Sequence, residues 1–204
     1  MKYIGLIAGL GLAVFAGMQA QTVKAADTDY DVNVTGGGIN LTQTPPDITF
    51  PSISVSNLAT ASDLLTATSD PGKIRVEDFR GTGTGWTLSA TVSALKAGEH
   101  ELANSNIEFS GANDPQATLM SNPDSATVSE TSPTYSPQAL TTGQLTPIWT
   151  ATASEPGMGV NQVSLTSINL SLIAQNNVFA GDYHGTITWT LDPTVAEPAG
   201  DSNS

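Results

Sequence analysis

Strict alternation of apolar and polar residues in two stretches constrains the fold of this chain more than any other feature. The stretches are GWTLSATVS at 85–93 and GTITWTL at 185–191, and each contains the tripeptide Trp-Thr-Leu. Apolar residues share one face of each stretch, led by Trp86 in the first and Trp189 in the second. A period of two with aromatic and β-branched residues is typical of a strand with one buried face. We therefore expect an all-β domain built around two long strands, one near each end of the mature chain.

The remaining sequence fits the same fold class. The 204 residues include 19 glycines and 12 prolines, a content that disfavours long helices and suits short strands joined by turns. Short strands are expected at 39–42, 48–50 and 74–76, and residues 58–67 are the only plausible helix, a short one. Residues 110–147, rich in proline and small polar residues, are expected to form long loops around one or two short strands. We predict a single-domain β-sandwich with Greek-key connections.

A phase shift interrupts the alternation in VSLTSINLSL at 163–172. The apolar residues occupy odd positions up to Leu165 and even positions from Ile168 onwards. A slip of one residue at Thr166–Ser167 within a single strand is what a β-bulge produces. Two apolar faces on one strand would also suit a strand that crosses from one sheet to the other.

The first 25 residues have the pattern of a secretory signal peptide. Lys2 is followed by an apolar run from Ile4 to Met18, which is too short for a convincing membrane span. Small residues favour cleavage after Ala25, and Ala20 is the second candidate. The sequence thus predicts a secreted protein.

The segments after the signal peptide are predicted to be one domain and a short tail. We expect the domain to comprise residues 26–193 and a flexible tail to comprise residues 194–204, which contain no hydrophobic segment and no Leu-Pro-x-Thr-Gly sorting signal. The chain contains no cysteine, which excludes disulfides and a lipid-modified cysteine anchor. Its core must therefore be stable without covalent links.

The segments around the two tripeptides resemble those of the WxL-domain family, surface proteins attached non-covalently to the wall of Gram-positive bacteria. IRVEDFRG at 74–81 resembles the family's V-x-D-x-R-G lead-in to the first signature. AGDY at 180–183 resembles the AGxY lead-in to the second, and PDITF at 46–50 resembles an upstream element. Two signatures with these flanks in order make a specific match. It extends from about residue 31 to residue 192.

The resemblance implies a secreted protein of the cell surface that attaches non-covalently to the cell wall, with peptidoglycan as the ligand. Other WxL proteins and their membrane-tethered companion proteins are the implied protein partners. The alternative is a structural or adhesive subunit of a surface complex that binds protein and not glycan. The net charge of −13 becomes about −15 once Lys2 and Lys24 leave with the signal peptide. Such a surface repels nucleic acids, teichoic acids and anionic lipids, so wall attachment cannot depend on a basic patch.

Catalysis and metal binding have little support in the sequence. Close carboxylates such as Glu77–Asp78, or Glu99 with Glu101, are expected in so acidic a chain, and no motif of a glycosidase or another enzyme frames them. His184 lacks a second histidine at metal-ligand spacing, because the only other one is His100. We expect a protein that is not an enzyme and has no metal or cofactor.

The signature residues form the first candidate site and allow two interpretations. The indoles are either surface platforms on which sugars stack or parts of the core. Each tryptophan shares its face with a leucine two residues later and with other apolar side chains, which favours the core. The signature residues are Trp86, Thr87, Leu88, Trp189, Thr190 and Leu191.

The second candidate site is a polar and basic cluster in the lead-in to the first signature. It consists of Lys73, Arg75, Asp78 and Arg80, and it holds three of the four basic residues that remain after the signal peptide. Asp78 and Arg80 would lie on one side of a strand or turn. They either clamp a carboxylate or amide of a peptidoglycan stem peptide or form a structural ion pair, which we favour. This cluster is the predicted binding locus of the acidic protein.

Overall fold

A computed structural model of the chain describes residues 31–114, 133–152 and 157–194, in which strands predominate and one short helix occurs. The all-β prediction is confirmed. The helix α1 is Val55–Thr60. The strands are β1 (Ile39–Gln43), β2 (Asp63–Thr66), β3 (Lys73–Asp78), β4 (Trp86–Val92), β5 (Leu95–Ala97), β6 (His100–Leu102), β7 (Asn106–Asn113), β8 (Thr134–Tyr135), β9 (Ala139–Thr141), β10 (Thr146–Ala151), β11 (Gly159–Leu172) and β12 (Ile187–Asp192).

The chain divides into two compact units, residues 1–34 and residues 35–204. Of the first unit, residues 31–34 are described; they contain no helix or strand, and their side chains are exposed. The predicted signal peptide lies outside the described residues. Within the described ranges, no helix is long and apolar enough to cross a membrane.

The strands of the second unit form two main antiparallel sheets and a small hairpin. The larger sheet has the order β1-β3-β11-β7-β9, and β2 also pairs with β11. The smaller sheet has the order β12-β4-β10-β8, and β5 pairs with β6. Because β3, β7, β9 and β11 belong to one sheet whereas β4, β10 and β12 belong to the other, the chain passes repeatedly between the sheets. Such connections are typical of Greek-key sandwiches.

The main hydrophobic core lies between these two sheets. Inward and outward residues alternate along strands such as β3 and β12, and both sheets contribute buried side chains, so the domain is a β-sandwich. The larger sheet contributes Ile74, Val76, Ile107, Phe109, Leu140, Val163, Leu165 and Ile168, and the smaller sheet contributes Trp86, Leu88, Ala90, Val92, Ile148, Trp149 and Ala151.

Strand β11 organises the larger sheet. It is 14 residues long and pairs with β7 along one side and with β3 and then β2 along the other. The register against β7 shifts between Leu165 and Ser167, so Thr166 is the extra residue of a β-bulge. Leu165 before the bulge and Ile168 after it are both buried. The predicted bulge is confirmed, and the strand stays in one sheet.

A second, smaller hydrophobic cluster lies at the far end of β11. It joins α1, the hairpin β5–β6 and the segment that follows β11, which we call the 173–186 loop. Its buried members are Leu58, Leu102, Leu170 and Leu172, and the half-buried residues packed on it are Phe50, Ile53, Leu65, Leu95, Val178 and Tyr183.

The predicted helix was misplaced, and one predicted strand is not formed. The helix begins at Val55 because the side chain of Ser54 accepts a hydrogen bond from the Asn57 amide at 3.1 Å, as an N-cap does. Residues 63–66, predicted to be helical, form β2 instead, since β11 provides a pairing partner. Residues 48–50 form no strand. In this segment the carbonyl of Thr49 accepts a hydrogen bond from the amide of Thr68, a loop residue, at 2.8 Å.

Candidate functional site

The two signatures lie side by side in the smaller sheet. Strand β12 pairs with β4 in antiparallel register, which places Leu191 opposite Leu88 and Trp189 opposite Ala90. The two signatures are therefore hydrogen-bonded neighbours, although they lie far apart in the sequence. Both turn their tryptophan and leucine side chains towards the core, because paired residues of a sheet share a face.

Trp86 belongs entirely to the core. Its side chain is 0% exposed, and its ring packs edge-on against Trp149 with the centroids 4.9 Å apart. Its indole Nε1 donates a hydrogen bond of 3.0 Å to the carbonyl of Gly157. No face of this ring is available for stacking on a sugar. The sugar-platform interpretation therefore does not apply to Trp86.

Trp189 is only half-buried, unlike its counterpart. It lies on β12, which forms an edge of the smaller sheet among the described strands, and its ring packs against Phe109 at a centroid distance of 5.5 Å. Trp189 thus packs on the core, as that interpretation expects, but its side chain is only partly buried. Leu88 is buried, Thr87 and Leu191 are half-buried, and Thr190 is exposed.

Asp78 and Arg80 form a bidentate ion pair at the end of β3. Nε of Arg80 donates to Oδ1 of Asp78 at 2.9 Å, and Nη2 donates to Oδ2 at 2.7 Å. The same guanidinium reaches two backbone carbonyls, those of Gly85 at 2.7 Å and Pro193 at 2.6 Å. Four of the five N–H groups of an arginine are occupied in this way. The pair therefore connects the lead-in to the start of β4 and to the residue after β12.

The electrostatics of Asp78 agree with a structural role. Its side chain is only 3% exposed. Burial by itself raises the pKa of Asp78, but the hydrogen bonds from the Arg80 side chain and amide, together with the arginine charge, outweigh burial and lower that pKa below its usual value. The carboxylate is thus held ionised and fully engaged within the fold.

The other two members of the basic cluster face outward from β3. Ile74, Val76 and Asp78 alternate inward, so Lys73 and Arg75 project from the outer face of the larger sheet. Nε of Arg75 lies 3.1 Å from Oε1 of Glu77 on the same face. Arg80 is thus engaged on the inner side and Arg75 is paired on the outer face, so the predicted cluster does not present a set of open cations.

The far end of the domain carries aromatic side chains that the sequence reasoning missed. His100 of the hairpin β5–β6 stacks on Phe179 of the 173–186 loop, with ring centroids 3.8 Å apart and planes 13° from parallel. Phe179 nevertheless remains 53% exposed. Tyr183, from the lead-in to the second signature, donates its hydroxyl to the Phe179 carbonyl at 2.9 Å. The signal available in the sequence was the aromatic residue directly before AGDY.

A shallow groove of about 390 Å³ adjoins the hairpin. Its lining includes Lys96 and His184, whose backbones exchange two hydrogen bonds of 2.9 Å. Nζ of Lys96 lies 3.6 Å from Glu101, in an exposed and therefore weak pair. Among the described residues, no group of three or more His, Cys, Asp or Glu side chains could hold a metal ion.

The comparisons with known proteins identify a family. The model of the family described as "WxL domain surface cell wall-binding" matches residues 21–194, which include every described strand. No curated protein matches the chain.

Proposed function

The chain belongs to the WxL family of surface cell-wall-binding domains, and on that premise we propose that it binds peptidoglycan non-covalently. It is a protein of the cell surface associated with the cell wall. The observation that carries the proposal is the match to a wall-binding family over residues 21–194, a range that includes every described strand.

The distribution of charge supports an uncharged ligand over an anionic polymer. The chain has a net charge of −13, and two of its few cations, Arg75 and Arg80, are paired with carboxylates. A teichoic acid would meet long-range repulsion with little local compensation. A peptidoglycan glycan strand would not, so apolar contacts and hydrogen bonds are the forces on which attachment depends.

A sedimentation experiment tests this proposal. The protein is mixed with purified peptidoglycan from which teichoic acids have been removed, with no sortase or other enzyme present. We expect it to sediment with the polymer, and to do so at least as well as with walls that retain teichoic acids. Protein that stays in the supernatant of both samples would contradict the proposal.

A free sheet edge favours a second candidate function, that of a subunit in a surface complex. Among the described strands, β12 pairs only with β4, so one edge of its six residues is open. The strand contains neither proline nor lysine, the residues that usually protect such an edge. A strand of a partner protein, such as another WxL protein or a membrane-tethered companion, could add to it.

Capture of such a partner separates the two functions. A protein that fails to sediment with peptidoglycan but captures a companion surface protein would be a subunit. Lysine in place of Thr190, on the exposed face of β12, is then expected to weaken that capture. For either function we propose binding without catalysis. The family is described as a wall-binding one, and the buried carboxylate of Asp78 is held in an ion pair by Arg80.

A further inference from the structure

We propose that the exposed stack of His100 and Phe179 is the site at which the protein holds an N-acetylated amino sugar of the glycan strand. The inference rests on the proposed binding of peptidoglycan and assigns that binding to one place and one part of the polymer. Neither signature tryptophan provides such a place, because Trp86 is buried and Trp189 packs on Phe109.

The geometry of the stack leaves aromatic surface open. His100 lies at the tip of the hairpin, and its imidazole covers one face of the Phe179 ring at 3.8 Å. With 53% of the residue exposed, much of the remaining ring surface faces solvent. Apolar side chains that are exposed singly are common on folded domains, so the stacked pair of rings, and not the exposure of Phe179 by itself, distinguishes this site.

The platform is held in place by hydrogen bonds on both sides. The Tyr183 hydroxyl donates to the Phe179 carbonyl, and the Tyr183 ring packs on the second hydrophobic cluster. Further back in the loop, Gln175 accepts from the Ala103 amide at 3.1 Å and so ties the loop to the end of β6. A ligand would therefore meet a preorganised ring, which lowers the entropic cost of binding.

The chemistry around the stack suits a sugar. A pyranose ring offers a face of C–H groups that packs on an aromatic ring, while its hydroxyl and acetamido groups require hydrogen-bond partners. Asn176, Asn177 and Asp182, all within three positions of Phe179 along the chain, are exposed and carry amide and carboxylate groups. N-acetylglucosamine has no ionisable group, so the acidic surface does not repel it.

Two phenylalanines with matched exposure make the test specific. Phe179→Ala removes the platform, whereas Phe79→Ala removes a ring that is 52% exposed elsewhere on the domain. Each variant is assayed for sedimentation with bare peptidoglycan and for binding of a soluble oligomer of N-acetylglucosamine by NMR titration. We expect Phe179→Ala to bind both about tenfold more weakly, the loss typical of a central aromatic contact. Phe79→Ala should bind like the unaltered protein.

Two further variants separate stacking from folding. Phe179→Leu keeps apolar bulk without an aromatic face and should bind as weakly as Phe179→Ala. Phe179→Trp keeps an aromatic platform and should bind about as tightly as the unaltered protein. Thermal unfolding of each variant shows whether the fold is intact.

The possible results distinguish this inference from the proposed function. If the unaltered protein sediments with peptidoglycan and folded Phe179→Ala does so equally well, the site is wrong and the proposed function stands. Binding of a stem peptide but not of the amino-sugar oligomer would contradict the assignment of an amino sugar as the ligand. If the unaltered protein does not sediment at all, the proposed function fails and this inference fails with it.

Discussion

Replacing Arg80 with alanine separates the two interpretations of the Asp78–Arg80 pair. The change removes the two side-chain hydrogen bonds to the Asp78 carboxylate and the two to the carbonyls of Gly85 and Pro193, and it keeps the one from the backbone amide of residue 80. It leaves a carboxylate that is 3% exposed without its cation. Removing one partner of a buried pair costs about 3–5 kcal/mol, because the remaining charge is desolvated and uncompensated. For a domain of this size, that loss lowers Tm by roughly 6–20 °C.

The matched control is Arg75→Ala. The side chains of Arg75 and Glu77 are 31% and 28% exposed, so their ion pair lies partly in solvent. Partly exposed pairs of this kind contribute only about 0–1 kcal/mol. Urea and thermal unfolding at neutral pH should therefore show a large loss for Arg80→Ala and a small one for Arg75→Ala.

Acid adds a second signature with a definite sign. In the unaltered protein the pKa of Asp78 is lowered in the folded state, so its stabilisation is present above about pH 4 and is lost as pH falls through the folded-state value. In Arg80→Ala the side-chain hydrogen bonds and the positive charge are gone, so burial is opposed only by the hydrogen bond from the amide of residue 80, and the pKa of the Asp78 carboxyl is higher than in the unaltered protein. Protonation of the carboxyl in acid therefore removes the buried, uncompensated charge and, with it, the free-energy cost of that charge in the variant. The stability gap between the two proteins should narrow on acidification.

One result would refute this reasoning. It is that Arg80→Ala unfolds at the same urea concentration as Arg75→Ala and yet fails to sediment with peptidoglycan. The guanidinium would then serve a ligand and not the fold, and the clamp interpretation would be correct.

Three other predictions follow from the packing and the charge. Trp86→Ala should cost about 3–5 kcal/mol of stability, and Trp189→Ala roughly half of that because its ring is half-buried; an unchanged Tm with lost wall binding would contradict both. Gly157→Ala should destabilise by about 1–3 kcal/mol in urea unfolding, since its φ is +94° and a Cβ would meet Trp86 Nε1 at 2.7 Å; an unaltered midpoint would contradict this. Affinity for peptidoglycan should not fall as salt rises above about 0.15 M, where repulsion is already screened beyond roughly 8 Å; a steep fall in the isotherm would assign binding to Lys73 and Arg75.

The strands were predictable because their signal is local. Alternation in 85–93 and 185–191 depends only on neighbouring residues, and it identified β4 and β12. The bulge at Thr166 was equally visible, since a phase shift in the apolar pattern is its direct consequence. The strand β2 was not predictable in this way. Residues 63–66 are compatible with helix or strand, and pairing with residues 169–172 of β11 decides between them.

The roles of the candidate site residues depended on contacts that no local pattern shows. The spacing of Asp78 and Arg80 suggested a pair, but it could not show that the guanidinium also reaches the Pro193 carbonyl, 113 positions away. That contact, with the one to Gly85, is what makes the arginine unavailable to a ligand. Phe179 was missed for a similar reason. Its partner His100 belongs to a hairpin that is distant in sequence, and the position of Phe179 directly before AGDY does not by itself show that the ring is exposed or stacked.

The positions of the signatures in the fold explain how buried residues can support a binding surface. Strand β4 ends at Val92, three positions before the hairpin that carries His100 begins, and β12 starts directly after the loop that carries Phe179. Val92 pairs with Ile187, and the ladder continues beyond the strands through the amide of Ser93, which donates to the Thr186 carbonyl at 2.9 Å. The register of the two signature strands therefore sets how the hairpin and the loop meet.

A change in that register would separate the stacked rings without touching them. Because side chains alternate along a strand, a slip of one residue between β4 and β12 would turn Trp189 and Leu191 away from the core. The inward packing of the signature residues opposes such a slip, and in doing so it keeps Phe179 beside His100. Substitutions in the signatures should therefore weaken sugar binding only to the extent that they disturb the fold, whereas substitutions of Phe179 should weaken it in a domain that remains folded.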